Sequence, residues 1–189
     1  MIQKLDVPTL TTLYEHEMTH TFPRAELKPL KSMLRMHDEG NYDILGYFDD
    51  DDNLLAYACA CTATTPVLLD YLAVVSEHRG KGIGSRFLSA IQDDDDLYPS
   101  IMLEIEAVDA AENDADRQAR HRRQRFYERL GFTRTPIQAH VFGEHYWVLT
   151  DSADHPPCHI NDAMTETYRY MVPDRDTFAE NVRIWHADA

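Results

Sequence analysis

The sequence predicts an α/β chain in which helices and strands interleave around one sheet. Three observations carry that expectation. Two helical patterns precede a strand pair joined by a short acidic turn. An apolar run, Val67-Leu-Leu-Asp-Tyr-Leu-Ala-Val-Val75, passes through a glycine-rich basic turn into a helical pattern at Ile83, Phe87, Leu88 and Ile91. A further alternating strand at 100–107 is followed by a long amphipathic segment.

In chain order, Leu10, Leu13, Tyr14 and Met18 stand at helical spacing and predict a helix over about 8–20. Pro23 breaks it. A second helix is expected over about 24–38, with Leu27, Leu30, Met33 and Leu34 inward and Gly40-Asn41 as its stop. Residues 42–48 and 54–61 read as an antiparallel hairpin across the turn at 49–53. The run at 67–75 is apolar on both faces, which suits a central strand, and a helix over about 82–92 follows. In 100–107, Ile101, Leu103 and Ile105 share one face, with Met102, Glu104 and Glu106 on the other. A helix is expected over about 113–130, its arginines partly exposed and Gly131 just past its end. A strand begins at Phe132, and His145–Thr150 is expected to be the last of the sheet. Beyond a loop at 151–157, two helical patterns at about 161–171 and 174–184 predict a C-terminal helical extension.

The chain's 189 residues suffice for one domain with its own core. Residues 1–150 are expected to form the main domain, with 151–189 packed on it. No apolar run approaches the roughly 20 residues that span a bilayer, and the N-terminus lacks a signal-peptide pattern. The expectation is a cytoplasmic protein with no membrane partner. Cys59, Cys61 and Cys158 form no disulfide framework, and the first two are expected to be buried thiols on one strand face. A net charge of −15 argues against general nucleic-acid binding and is compatible with a cationic substrate such as an amine. The runs Asp49–Asp52 and Asp93–Asp96 read as solvated turns. His155, Cys158 and His159 lack a fourth ligand at standard spacing and read as a loop, so no metal is expected.

The turn reads Arg79-Gly80-Lys81-Gly82-Ile83-Gly84. It matches neither the Walker spacing nor Gly-x-Gly-x-x-Gly. A glycine-rich strand-to-helix turn gathers unpaired N–H groups at the positive end of a helix, which suits a phosphate. Arg-x-x-Gly-x-Gly in this setting resembles the acetyl-CoA signature of the GNAT (Gcn5-related N-acetyltransferase) superfamily. Arg125-Phe-Tyr-Glu-Arg-Leu-Gly-Phe132 resembles that family's second motif, and the element order over about 1–150 is similar too.

The resemblance implies the GNAT fold, a central mixed, mostly antiparallel sheet flanked by helices. It also implies direct acetyl transfer from acetyl-CoA to an amine. Arg79, Gly80, Lys81, Gly82, Ile83 and Gly84 would hold the pyrophosphate, and the backbone of Leu72, Ala73 and Val74 would meet the pantetheine arm, with Val74 N–H polarising the carbonyl. Tyr127 would serve the departing thiolate. Glu104, Glu106 and Asp70 are candidate bases, unless a water chain does that work; Glu104 and Glu106 could instead face solvent or pair with the Arg-rich helix. Tyr14, Glu15, His16, Glu17, His20, Phe22 and Glu26 stand where the family selects its acceptor. A small-molecule amine is the first expectation. A peptide or protein amine, and a non-catalytic acetyl-CoA-binding module, remain alternatives. The C-terminal helical pair offers a homodimer contact.

Overall fold

The computed structural model describes residues 1–24, 26–94 and 96–187. Of the two acidic runs, Asp95 therefore lies outside the described residues. The chain divides into two compact units, Met1–Ala63 with Leu69–Leu97, and Thr64–Leu68 with Tyr98–Ala189.

The first unit holds strands β1 (Ile2–Lys4), β2 (Tyr42–Phe48), β3 (Leu54–Cys61) and most of β4 (Val67–Val74), in that spatial order. β1 pairs antiparallel with β2, Gln3 opposite Gly46, and β2 with β3, Ile44 opposite Cys59. The alternation in β3 sorts its two faces. Ala56, Ala58 and Ala60 lie on one and Tyr57, Cys59 and Cys61 on the other, all fully buried. Helix α4 (Ile83–Gln92) buries Ile83, Phe87, Leu88 and Ile91, and Phe87 stacks on Tyr47 with ring centroids 5.2 Å apart. Cys59 and Cys61 are free thiols, and burial pushes the Cys61 thiol up to about 11.

The N-terminal helices differ in detail from expectation. Helix α1 (Val7–Leu13) passes through a widened π turn at Tyr14–Met18 into the short α2 (Thr19–Thr21). Helix α3 spans only Leu30–Asp38, not 24–38. Pro29 stands at its N-cap, and the ring of a proline pushes the preceding residue out of the helical region. The Lys28 N–H is instead given to the Tyr71 hydroxyl, at 2.9 Å.

The second unit holds β5 (Ile101–Glu106), β7 (Glu144–Thr150), β6 (Thr133–Val141) and β8 (Val182–His186) in that spatial order, with antiparallel pairing throughout. Helix α5 (Asp114–Glu128) is capped by Asn113, whose side chain accepts from Asp116 N–H. Helices α6 (Pro157–Met171) and α7 (Arg175–Asn181) follow. β8 corrects two expectations: His145–Thr150 is not the last strand, and 182–184 is not helical. Val182 and Ile184 alternate with Arg183 and Trp185, and the β-branched pair favours an extended chain that docks on β6, Val141 opposite Val182. Cys158 and His159 likewise lie in α6 and not in a loop. No helix among the described residues is long and apolar enough to cross a membrane.

Candidate active site

In the first unit, β4 delivers the chain to a turn that its neighbours hold firmly. Val75 N–H bonds Leu55 O at 3.0 Å, His78 N–H returns to Val75 O at 2.9 Å, and a short 3-10 turn covers Ser76–His78. Gly80 and Gly82 then adopt φ of 79° and 72°. These left-handed values are costly for residues with a Cβ. A Cβ on Gly80 would meet nothing within 4 Å, and on Gly82 only Arg86 Nη1 at 3.8 Å. The glycines therefore serve the backbone path and leave open space over it.

Gly82 is also the N-cap of α4, and no side chain caps the helix. The first intrahelical bond here is Arg86 N–H to Gly82 O, at 3.2 Å. The N–H groups of Ile83, Gly84 and Ser85 thus stand in the first turn without intrahelical acceptors, at the positive end of the helix dipole. Arg79 and Lys81 spend donors on the turn itself: Arg79 Nε bonds Val74 O at 3.1 Å, and Lys81 Nζ bonds Glu77 O at 3.3 Å. Arg86, which the sequence did not single out, bonds Lys81 O at 3.3 Å. Backbone donors with three cations around them can hold an anion here.

Within the same unit, Phe22, Glu26 and Lys28 are held against Tyr71 and Asp70 of β4. The Tyr71 hydroxyl donates to Glu26 O at 2.8 Å, the Tyr14 hydroxyl to Lys28 O at 3.0 Å, and Phe22 meets the Tyr71 ring edge-on at 4.8 Å. Both Asp70 oxygens are engaged, Oδ1 by Lys28 Nζ at 2.7 Å and Oδ2 by the Tyr42 hydroxyl at 2.5 Å. Burial, then the Asp70 charge, pushes the Tyr42 phenol far up. Of the acceptor-side residues, Glu15, His16 and His20 are exposed, and Tyr14, Glu17, Phe22 and Glu26 are half-buried. Arg79 Nη2 reaches Thr21 Oγ1 at 3.4 Å, tying the turn to α2. Tyr57 is fully buried, and burial pushes its phenol up to about 12 against a smaller opposite pull from a hydrogen bond with Thr21. Nothing local marks Tyr57 in the sequence, where it is one aromatic in an apolar strand.

In the second unit, Glu104 accepts from the Tyr168 hydroxyl at 2.5 Å. Glu106 forms an ion pair with Arg123 of α5. Tyr127 lies one helical turn beyond Arg123, half-buried, with Phe126 and Phe132 edge-on at 5.0 and 5.8 Å. Burial pushes its phenol up to about 12, against a smaller opposite pull from Arg123. Its backbone carbonyl also accepts from Leu130 and Phe132 N–H, closing the helix end. Ser100 Oγ meets His155 Nε2 at 2.9 Å, and His155 Nδ1 meets His159 Nδ1 at 3.0 Å. No cluster of three metal-ligating side chains occurs among the described residues.

Residues 42–134 match the family model for the acetyltransferase (GNAT) domain. None of the curated proteins compared matches the sequence significantly. Solved structures share the fold. A Bacteroides thetaiotaomicron protein assigned to the GNAT acetyltransferase family is 18% identical with a TM-score of 0.68, over 91% of this chain and 96% of that one. The ribosomal-protein-S18-alanine N-acetyltransferase of Escherichia coli is 20% identical with a TM-score of 0.56, over 79% and 91%. An aminoglycoside 6′-N-acetyltransferase solved with coenzyme A is 17% identical with a TM-score of 0.55, over 83% and 99%. The glycine turn and the Phe126-Tyr127…Gly131-Phe132 helix end both fall inside the matched segment, and the chain carries an N-acetyltransferase domain of the GNAT family, an acyltransferase.

Proposed function

We propose that the protein moves an acetyl group directly from acetyl-CoA to a primary amine of a small molecule. The observation that carries this reading is the uncapped start of α4. Three first-turn N–H groups, two left-handed glycines and the cations Arg79, Lys81 and Arg86 make a site for a pyrophosphate. The backbone of Leu72, Ala73 and Val74, which leads into this turn, is the stretch assigned to the pantetheine arm. The Val74 carbonyl is already held by Arg79, which fixes the strand end. Acetyl-CoA supplies the activated acetyl group, and the acceptor's amine nitrogen forms the new bond to the carbonyl carbon as the thioester C–S bond breaks.

Tyr127 is assigned to the departing sulfur. With its phenol raised to about 12, it stays protonated throughout the working range. Complete transfer to a thiolate, whose conjugate acid has a pKa near ~8.5, is uphill by about three orders of magnitude. Its role is therefore hydrogen-bond donation to the sulfur, with solvent completing protonation. For the base, Asp70 has both oxygens engaged and Glu106 is ion-paired. Glu104, which accepts from the Tyr168 hydroxyl, stays a candidate base, and a water chain is the alternative route for the proton. The buried free thiols Cys59 and Cys61 suit a reducing compartment, the cytoplasm.

Tyr127→Phe tests the enzyme reading against a silent acetyl-CoA sensor. Expected is a kcat loss of about 10- to 100-fold with the acetyl-CoA KM nearly unchanged, since the lost bond strengthens only as the thiolate forms. The kcat profile of the unsubstituted enzyme should show no alkaline fall from this group below about pH 11. An unchanged kcat would remove Tyr127 from the mechanism.

A further inference from the structure

Strand β8 is the last in the strand order of the second unit, and its outer edge pairs with no other strand among the described residues. Its ladder to β6 fixes which backbone groups face outward. Phe142 N–H bonds Asn181 O at 2.9 Å at one end, and Ala187 N–H bonds Pro136 O at 2.8 Å at the other. Between them His140 stands opposite Arg183, and Gln138 opposite Trp185. Antiparallel pairs alternate, so Arg183 and Trp185 turn their backbone groups to β6, while Val182 and Ile184 turn theirs away. Val182 N–H returns to Phe178 O and ends α7. The outward N–H and C=O of Ile184 have no partner among the described residues.

The side chains along this edge carry one sign of charge. The whole chain holds 33 Asp and Glu against 18 Lys and Arg, yet β6 and β8 contain no acid. They do contain Arg134, His140 and Arg183, all exposed. Register puts Gln138, His140, Arg183 and Trp185 on one face of the sheet with His145 and Trp147 of β7. The opposite face, with Ala139, Val182 and Ile184, packs against α6. Neither Arg134 nor Arg183 has a side-chain hydrogen bond or ion pair among the described residues. Each lies over an indole: Arg134 is 3.5 Å from the Trp147 centroid, and Arg183 is 5.3 Å from that of Trp185. A guanidinium resting on an indole is already ordered, and its N–H fork stays available to a carboxylate.

We infer that β8 takes an extended acidic peptide as an added strand, with the peptide's carboxylates meeting Arg183. Two observations select this occupant. Ile184 offers a donor and an acceptor on one residue, which an amide backbone answers; a phosphodiester has no donor to return. The charge selects an acidic segment and disfavours a second copy of β8, which would bring its own Arg183 to the same edge. Strand alternation sets the peptide's pattern: acids on the Arg183 face and apolar residues on the Ile184 face. The occupant needs no amine nitrogen, so this docking is independent of the acetyl-transfer reading.

The test uses the full chain and a peptide of alternating Glu and Val, acetylated at its N-terminus and amidated at its C-terminus so that it has no amine to acetylate. The chain's two tryptophans, Trp147 and Trp185, both stand on this face, so indole fluorescence reports from it alone. The peptide should give a saturable fluorescence change. Its Kd should rise about tenfold in Arg183→Glu, and by a similar factor in about 0.5 M salt. Ile184→Pro removes the outward N–H and no bond to β6, so binding should be lost while the unfolding temperature moves by a few degrees at most. Two peptides N-methylated at alternate amides, one in each phase, repeat that test on the unsubstituted protein: one should bind and the other should not, because only alternate amides face β8. Absence of a saturable change overturns the inference, and so does equal binding by both methylated peptides or by a Lys-Val peptide. Tighter binding of an oligothymidylate of equal charge also overturns it, as does a dimer that forms without binding the peptide.

Discussion

Replacing Gly82 by Asp should raise the acetyl-CoA KM by about 100-fold or more, with kcat at saturation much less affected. The carboxylate would stand at the N-cap of α4, where Ile83, Gly84 and Ser85 N–H are available. At an effective dielectric near 20, one charge about 5 Å from a phosphate charge costs roughly 3 kcal/mol. Asp would also donate a local acceptor to the same N–H groups, competing with the ligand for them. The left-handed φ of 72° adds strain of about 1 kcal/mol, which Asp tolerates better than most residues. The fold should therefore survive while the donor site is lost. Calorimetric titration with CoA separates the two effects: the unfolding temperature should move by a few degrees at most, and CoA binding should fall below detection.

Asp70→Ala should produce the largest loss of stability, about 3 kcal/mol or more. It removes a 6%-exposed carboxylate that accepts from Lys28 Nζ, on a side chain 22% exposed, and from the Tyr42 hydroxyl. Breaking one half of a largely buried pair strands the other half, and that cost exceeds the net worth of the pair. For a chain of this length the loss corresponds to roughly 6–12 °C in unfolding temperature. Asp70→Asn should cost less, because its amide oxygen still accepts from Lys28 and its NH2 can donate to the Tyr42 hydroxyl oxygen. Asp70→Leu with Lys28→Met should recover much of the loss, since an apolar pair needs no partners. Denaturant unfolding of the three variants checks the order. If Asp70→Asn instead leaves stability intact and abolishes kcat, Asp70 is the base and the structural assignment fails.

These two residues also show where sequence was informative. The turn at 79–84 was legible because its requirements are contiguous: a buried strand, glycines at forced backbone angles, and a helix whose apolar face follows at once. The Phe126-Tyr127…Gly131-Phe132 helix end was legible for the same reason. Asp70 was legible only as an anomaly, an acid in an apolar strand. Its partners, Lys28 and Tyr42, lie 42 and 28 residues away and could not be paired by pattern. The same distance hid the shortened α3. Helical spacing over 24–38 was real, yet Tyr71 and Asp70 capture Lys28, and Pro29 sets the helix start. Val182–His186 carried a strand alternation that its position after a helical pattern concealed, and only the open side of β6 resolves it.

The central claim is acetyl transfer to an amine nitrogen, and free CoA release across a panel of primary amines tests it most directly, with the product weighed by mass spectrometry. The expected result is thiol release that depends on one class of amine, matched by a product heavier by a single acetyl group, and strongly reduced in Gly82→Asp at acetyl-CoA concentrations below its raised KM. Tight CoA binding with no thiol released by any amine would contradict the account.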